Sequence, residues 1–154
     1  MSRRDAIRMS DAEVRAFLQE QKTVIVGTNG RDGWPHLMPL WYVLRSEAAL
    51  WGWTYAASQK VRNLERDPRC TLQVEAGTEY RELRGVMVKA ECILHRDIEL
   101  VVGIGAELAQ RYGGGDLTPE VSAAMRKQAA KRVGLEFVAR DVATWDHRKL
   151  GGTY

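Results

Sequence analysis

The stretch WTYAASQKVRNLERDPR (residues 53–69) constrains the fold of this chain more than any other part. It opens with alternating aromatic residues, typical of a strand, and then reaches Ser58, a residue type that often stands just before a helix. Val61 and Leu64 give the following helix an apolar side. Asp67-Pro68 ends it, because a residue before proline is kept out of the α conformation. The stretch therefore predicts a strand, a short turn and a short helix.

The turn of this unit carries groups that bind anions. A helix start exposes free N–H groups and the positive end of the helix dipole, and here it adds a hydroxyl, Ser58, and a cation, Lys60. Asn63 shares a helix side with Lys60, whereas Arg62 lies well round the helix from it. We interpret the turn as a phosphate site. One alternative stays open, since a serine cap followed by two cations is also common on solvent-facing helices.

Length and composition indicate one domain, covering residues 1–154, with 45% hydrophobic residues for its core. No apolar run approaches the roughly 18 residues that a membrane span needs. The charged beginning MSRRDAIRMSDAE lacks the apolar segment of a signal peptide, so we expect a cytoplasmic protein. The net charge of +3 arises from cations interleaved with acids, unlike the concentrated basic surface of a nucleic-acid-binding protein.

The sequence lacks the motifs of several common site classes. The two cysteines, Cys70 and Cys92, form no CxxC pair, and the three histidines are far apart, so we expect buried reduced thiols and no metal site. No GxGxxG follows a strand, and neither a phosphate-binding GxxxxGK[ST] loop nor a GxSxG elbow is present. These absences argue against a Rossmann dinucleotide site and against an α/β-hydrolase.

The hydrophobic pattern predicts a mainly β protein with flanking helices. Ser10 and Glu13 form a capping-box pattern before a helix at 11–21, Asp97 caps another, and Thr118-Pro119 begins a third. Strands are predicted at 23–28, 34–44, 48–54, 70–75, 82–94 and 133–142. Most of these strands are joined by short turns, so we expect a six-stranded antiparallel sheet closed into a barrel.

Three motifs carry a family resemblance. In order, DGWPHLMPLWYV (32–43), WTYAASQKVRNLERDPR (53–69) and YRELRGVMV (80–88) resemble the pyridoxamine 5′-phosphate oxidase-like split β-barrel superfamily. IRMSDAEVRAFL (7–18) and TWDHRKLGGTY (144–154) are similar to its flavin/deazaflavin oxidoreductase branch (type B), whose members use coenzyme F420. The resemblance covers nearly the whole chain and implies a six-stranded split β-barrel.

The resemblance also implies where a cofactor binds. The ring would lie along one strand beside the next, and the phosphate would be held by the 53–69 stretch. The residues at these positions are Met38, Pro39, Leu40 and Trp41 for the ring, Trp53 and Thr54 beside it, Ser58, Gln59 and Lys60 for the phosphate, and Asn63 one helical turn on. Members of the superfamily form homodimers with the cofactor in the interface groove, so a partner chain would supply tail residues such as Trp145, Arg148 and Lys149.

Several alternatives remain open at these positions. Trp41 and Trp53 suit barrel packing as well as ring contact, and His36 suits a hydrogen-bonded structural role. At 58–60, Ser-Gln-Lys replaces the paired Arg-Lys of the flavin-dependent pyridoxamine oxidases, which favours F420 over flavin mononucleotide (FMN). We therefore expect an F420H2-dependent reductase that transfers hydride to a small organic acceptor. The alternatives are an FMN-binding oxidase-like protein and a non-catalytic flavin- or haem-binding barrel, with His36 or His147 as the haem ligand.

The sequence assigns no catalytic side chain. Hydride transfer is the chemistry of the cofactor, so no side-chain nucleophile or triad is required. Tyr42, Tyr80 and His36 are the candidates for a proton donor, and no feature of the sequence decides among them.

Overall fold

The computed structural model of the protein describes residues 3–46, 48–116 and 118–151, without the side chain of Arg3. Its helices are α1 (Arg3–Ala6), α2 (Asp11–Glu20), α3 (Gln59–Arg66), α4 (Ile98–Gly113) and α5 (Pro119–Ala129). Its strands are β1 (Thr23–Asn29), β2 (Pro35–Trp41), β3 (Val43–Arg45), β4 (Ala49–Tyr55), β5 (Arg69–Ala76), β6 (Arg84–His95) and β7 (Arg132–Asp146). Short 3₁₀ helices lie at Tyr80–Glu82 and His147–Leu150.

The helix starts predicted at Ser10, Asp97 and Thr118 are confirmed. Ser10 and Glu13 form a complete capping box, in which each side chain accepts a hydrogen bond from the backbone N–H of the other. The side chain of Asp97 caps α4 and that of Thr118 caps α5. These caps satisfy N–H groups that the first turn of a helix leaves unpaired.

The strands of the described residues form one antiparallel sheet in the order β2-β1-β5-β6-β7-β4-β3. The two edge strands, β2 and β3, are joined through a single residue, Tyr42. The sheet is therefore curled, and its two edges come together at this residue. These two strands do not pair with each other in the described part of the chain: β2 pairs only with β1, and β3 pairs only with β4. This arrangement is the split β-barrel expected from the sequence.

The expected count of six strands is one too low, because the strand predicted at 34–44 is interrupted at Tyr42. The N–H of Tyr42 donates to the hydroxyl of Tyr112 (3.0 Å), and this hydroxyl lies 2.8 Å from the carbonyl oxygen of Tyr42. The backbone of Tyr42 is thus bonded to a side chain of α4 and not to a strand. Its own buried hydroxyl donates to the carbonyl of Leu18 in α2 (2.6 Å). These contacts fix the point where the strand changes its pairing partner.

Side chains alternate between the barrel interior and its outer face. On β4, Leu50 and Thr54 face inward, whereas Trp51 and Trp53 pack outward against the apolar cluster of α4. Gly105 of α4 permits this packing, because a Cβ at that position would lie 2.5 Å from the Trp53 ring. The helix α4 therefore covers the outer face of β4.

Two further expectations concern the cysteines and the membrane. Cys70 and Cys92 are free and buried, as predicted. Burial raises the pKa of the Cys70 thiol to about 12, so this thiol has little nucleophilic character.

Within the described ranges, no helix combines the length and the apolar character needed to cross a bilayer.

Candidate functional site

The start of α3 differs from the starts of the three longer helices. Side chains cap α2, α4 and α5, but Ser58, at the N-cap of α3, makes no capping hydrogen bond. Its hydroxyl oxygen is buried and has no hydrogen-bond partner among the described residues. Because the first N–H groups of a helix need acceptors, this turn presents several unsatisfied donors at one place. Such a place suits an anion.

Lys60 brings a positive charge to the same turn, and we call residues 58–60 the anion turn. The residue is only 7% exposed, and its ammonium group donates to the hydroxyl of Thr54 at 2.9 Å. No carboxylate of the described residues pairs with it. Burial lowers the pKa of Lys60 below its usual 10.5. An anion at this turn would compensate a cation that the fold leaves with one neutral partner.

Asn63 is fully buried and both ends of its amide are already bonded. Its nitrogen donates to the hydroxyl of Thr28 on β1 (3.0 Å), and its oxygen accepts from the amide nitrogen of Gln59 (2.9 Å). The structure thus places Asn63 behind the anion turn, where it holds α3 against β1. A direct contact between Asn63 and a ligand would require these bonds to break.

The strand β2 carries an open edge. It ends the sheet, so in the described part of the chain the N–H and C=O groups pointing away from β1 have no strand partner. Along this strand Met38 and Leu40 lie on the side of the barrel interior, where Leu40 packs against the core and Met38 stays 41% exposed, and Pro39 and Trp41 face outward. The four residues predicted to lie along a ring therefore share one free backbone edge.

The strand β4 contacts both β2 and the anion turn. Leu40 reaches β4 at Gly52, where a Cβ would lie 2.9 Å from the leucine Cδ2. Two residues further along the same face of β4, Thr54 bonds Lys60. The two strands approach each other here without pairing, and we use the word slot for the region between the β2 edge, β4 and the anion turn, where a ligand is proposed below.

The two tryptophans expected beside the ring lie in different surroundings. Trp53 is on the outer face of β4, opposite in direction to Thr54, with the guanidinium of Arg132 4.6 Å from its ring centroid. Trp41 stacks on Tyr112 with centroids 4.4 Å apart and planes at 5°. Even so, Trp41 remains 58% exposed. The fold separates Trp53 from the anion turn and leaves Trp41 as an oriented, accessible ring.

Comparison with known families agrees with the observed fold. A family model described as pyridoxamine 5′-phosphate oxidase matches residues 10–146. The chain belongs to the pyridoxamine 5′-phosphate oxidase family. No curated protein gives a significant match to it.

Several solved structures are similar to that of this chain. A conserved hypothetical protein, Rv2991 from Mycobacterium tuberculosis, is 37% identical, with a TM-score of 0.91 over 100% of this chain and 95% of its own. An F420 reductase is 18% identical, with a TM-score of 0.65 over 84% of this chain and 94% of its own. The haem storage protein HutZ from Vibrio cholerae is 18% identical, with a TM-score of 0.67 over 86% and 93%. The last two similarities show a shared fold.

The C-terminal tail of this pyridoxamine 5′-phosphate oxidase family member is held by its own chain. The indole of Trp145 occupies the space above Gly85, where a Cβ would collide with it. Arg148 makes a two-pronged ion pair with Asp146, and this pair holds the pKa of the buried carboxyl below its usual range. Lys149 bonds the carboxylate of Glu13 at 2.7 Å. The reach of these residues into a partner's site stays a prediction.

The sequence did not reveal three features of the site. Thr28 is buried against Asn63, and its only signal was a hydroxyl at an inward-facing position of an apolar strand. The contact between Tyr112 and Trp41 depends on how α4 packs, which no local pattern encodes. His36 was expected to be hydrogen-bonded, yet its buried Nδ1 has no partner among the described residues.

Proposed function

We propose that the protein is an F420-dependent oxidoreductase in which reduced F420 passes a hydride to a small organic acceptor. The observation that carries the proposal is the anion turn. It combines an uncapped helix start, an unpaired Ser58 hydroxyl and the nearly buried Lys60 ammonium, beside the open edge of β2. Membership of the pyridoxamine 5′-phosphate oxidase family supports a flavin-type cofactor at this place.

The two parts of the slot suit the two parts of such a cofactor. Ser58, Gln59 and Lys60 would hold the phosphate, because N–H, hydroxyl and ammonium groups all donate to phosphate oxygens. The open edge along 38–41 would hold the ring, whose polar rim needs backbone donors and acceptors. Hydride transfer is the chemistry that the cofactor supplies. The residues of the chain bind and orient it, and Asn63 contributes by fixing α3.

The charge of the anion turn favours F420 over FMN. The phosphodiester of F420 carries one negative charge, whereas a phosphate monoester such as that of FMN carries about 1.5 to 2 at neutral pH. Lys60 is the single cation of the turn. One buried cation balances a monoanion and leaves a dianion undercompensated. The F420 reductase among the solved structures agrees with this choice, although it shares only the fold.

We also propose that the protein acts as a homodimer. The outer side of β2 and the turn before it expose three large apolar side chains, Trp34, Leu37 and Trp41, on a face that a second copy would cover. In that arrangement the slot lies near the interface. Tail residues of the partner, such as Trp145 and Arg148, would then complete it.

Turnover of reduced F420 tests the proposal. The absorbance spectrum of the purified protein is recorded first, and the protein is then mixed without oxygen with reduced F420 and a panel of electron-poor alkenes and carbonyls. We expect protein-dependent oxidation of F420H2 that falls at least about tenfold in Lys60→Met and is unchanged in Arg62→Met, an exposed position on the same helix. Tightly bound FMN in the isolated protein would contradict the F420 assignment. A haem spectrum with no F420H2 oxidation would instead favour the non-catalytic alternative.

A further inference from the structure

A cavity of about 750 Å³ opens into the barrel interior. This volume lies within the range of about 300–1,000 Å³ that small-molecule sites occupy. Its floor is formed by the apolar side chains of Leu18, Leu50, Leu72, Val86, Val88 and Phe137. Val142 pairs with Val88 and lines the same cavity, yet it is 50% exposed. An inward-facing valine is therefore left in contact with water.

The cavity is separate from the anion turn and shares no residue with it. Along the inner face of β4, Leu50 lines the cavity and Thr54 bonds Lys60. Four residues of a strand span about 13 Å. Between these two positions, Leu40 packs against Gly52 and closes the barrel interior. The protein thus has room for a second ligand that does not compete with a cofactor.

One wall of the cavity is an unpaired strand edge. The pairing of β7 with β4 ends at Glu136. Beyond it, the backbone groups of β7 that point away from β6 have no strand partner in the described chain until Asp146, whose N–H donates to the carbonyl of Ile7 (2.7 Å). Residues 136–139 and 141–142 line the cavity along this edge. Free backbone groups of an edge can bond to the polar part of a ligand.

Two cations without acid partners stand at the rim of the cavity. Arg8, just before α2, and Arg15, on α2, both line it, and neither forms an ion pair among the described residues. Asp11 also lines the rim, but it lies in the first turn of α2, where the helix dipole already stabilises a carboxylate.

The other two carboxylates of the rim are occupied. Glu136 lies 2.7 Å from the Nε2 of His95, and Asp141 pairs with Lys89 at 3.1 Å. Neither carboxylate is free to neutralise the two arginines. The charged rim side chains without an ion pair among the described residues are then two arginines and Asp11, which leaves a net positive charge.

We propose that this cavity binds an amphipathic carboxylate, that is, a hydrocarbon chain with one anionic head. The chain would cover the apolar floor and remove Val142 from water, which is favourable in proportion to the apolar area buried. The head would meet the guanidinium groups of Arg8 and Arg15, which match a carboxylate in geometry. The inference goes beyond the proposed oxidoreductase function and holds whether or not the cofactor assignment is correct.

Calorimetric titration of the full chain tests the proposal, with dodecanoate and octanoate below their micelle concentrations and dodecanol below its solubility limit. We expect dodecanoate to bind at one site per chain, and more tightly than octanoate, because each buried methylene contributes about a fourfold gain in affinity. Replacing both rim arginines, Arg8→Ala with Arg15→Ala, should weaken dodecanoate at least about tenfold and leave dodecanol unchanged. Ala139→Trp, which fills the wall of the cavity, should weaken both, and Arg62→Ala is the matched control.

Three results would overturn the proposal. These are no dodecanoate binding, equal loss of dodecanoate and dodecanol in the double arginine variant, and full binding by a folded Ala139→Trp protein. Thermal unfolding of each variant establishes that it is folded. The same samples are titrated with F420, and Lys60→Met should lower F420 binding without changing dodecanoate binding. The proposed cofactor site and the proposed carboxylate site are thereby tested independently.

Discussion

The ammonium nitrogen of Lys60 lies 2.9 Å from the hydroxyl oxygen of Thr54. Among the described residues, Thr54 is the only side chain that bonds this nearly buried ammonium group. Removing a charge from water without an opposite charge destabilises a folded protein. The arrangement is therefore unfavourable in the ligand-free protein, and an anion bound beside Lys60 would compensate it. This relationship supports the proposed phosphate site at the anion turn.

Replacing Lys60 by methionine should raise the stability of the ligand-free protein. Methionine fills a similar volume and removes the uncompensated charge, so we expect the free energy of unfolding to increase by about 1 kcal/mol. Urea unfolding in phosphate-free buffer measures this change. The exposed Arg62→Met should leave stability within about 0.5 kcal/mol. A Lys60→Met protein that is less stable than the parent would show that the lysine is part of the structural framework.

As the pH rises, cofactor affinity should begin to fall at a lower pH than it would if Lys60 had the usual pKa of a lysine. Burial lowers the pKa of Lys60 in the folded protein below 10.5, and only the charged form attracts an anion. Affinity should therefore fall as the pH rises through this lowered pKa. The destabilisation caused by the buried charge is complete below the pKa of Lys60 in the folded protein. It disappears as the pH rises to the pKa of this lysine in the unfolded protein. Affinity measured between pH 7 and 10 that is flat in the parent, or that falls equally in Lys60→Met, would contradict this origin.

The two N-cap serines should respond differently to alanine. Ser10 belongs to a complete capping box, so Ser10→Ala should cost about 1 kcal/mol of stability. Ser58 caps nothing, so Ser58→Ala should leave stability nearly unchanged and weaken cofactor binding by about threefold to tenfold. Parallel unfolding and binding curves of the two variants check both statements. Equal losses of stability would mean that Ser58 is an ordinary cap.

The sequence predicted the strand, turn and helix that carry the anion turn, but not the packing around them. The strand, turn and helix of the 53–69 stretch depend on neighbouring residues, such as Ser58 and Pro68, so a local pattern sufficed to predict them. The break at Tyr42 depends on Tyr112, seventy residues away, and no local pattern could reveal it. Strand alternation puts Trp53 and Thr54 on opposite faces of β4, so their two side chains meet different surroundings.

Asn63 also illustrates this limit. The family resemblance made it a ligand candidate, and its helical spacing puts it on the same helix side as Lys60. Its bond to Thr28 exists only because α3 packs on β1. Which side of a short helix faces the barrel is decided by the packing of distant strands. The sequence pattern alone left both sides possible.

Asn63 should therefore matter for stability more than for charge recognition. Asn63→Ala leaves the buried hydroxyl of Thr28 without its donor, and we expect a loss of about 1–3 kcal/mol. In a Thr28→Val background the same replacement should cost less, because the two side chains act as a pair. A double-mutant cycle by chemical unfolding measures the coupling. A coupling energy of zero would mean that the observed bond contributes nothing.

The most direct test of the account is the affinity of the dialysed protein for F420 and, separately, for FMN, followed by fluorescence in the parent, Lys60→Met and Arg62→Met. We predict that the parent prefers F420 and that Lys60→Met weakens F420 binding by about tenfold to a hundredfold, the loss of one charged hydrogen bond. Arg62→Met should bind like the parent. A preference for FMN, or F420 binding that survives Lys60→Met unchanged, would contradict the assignment of the anion turn as an F420 phosphate site.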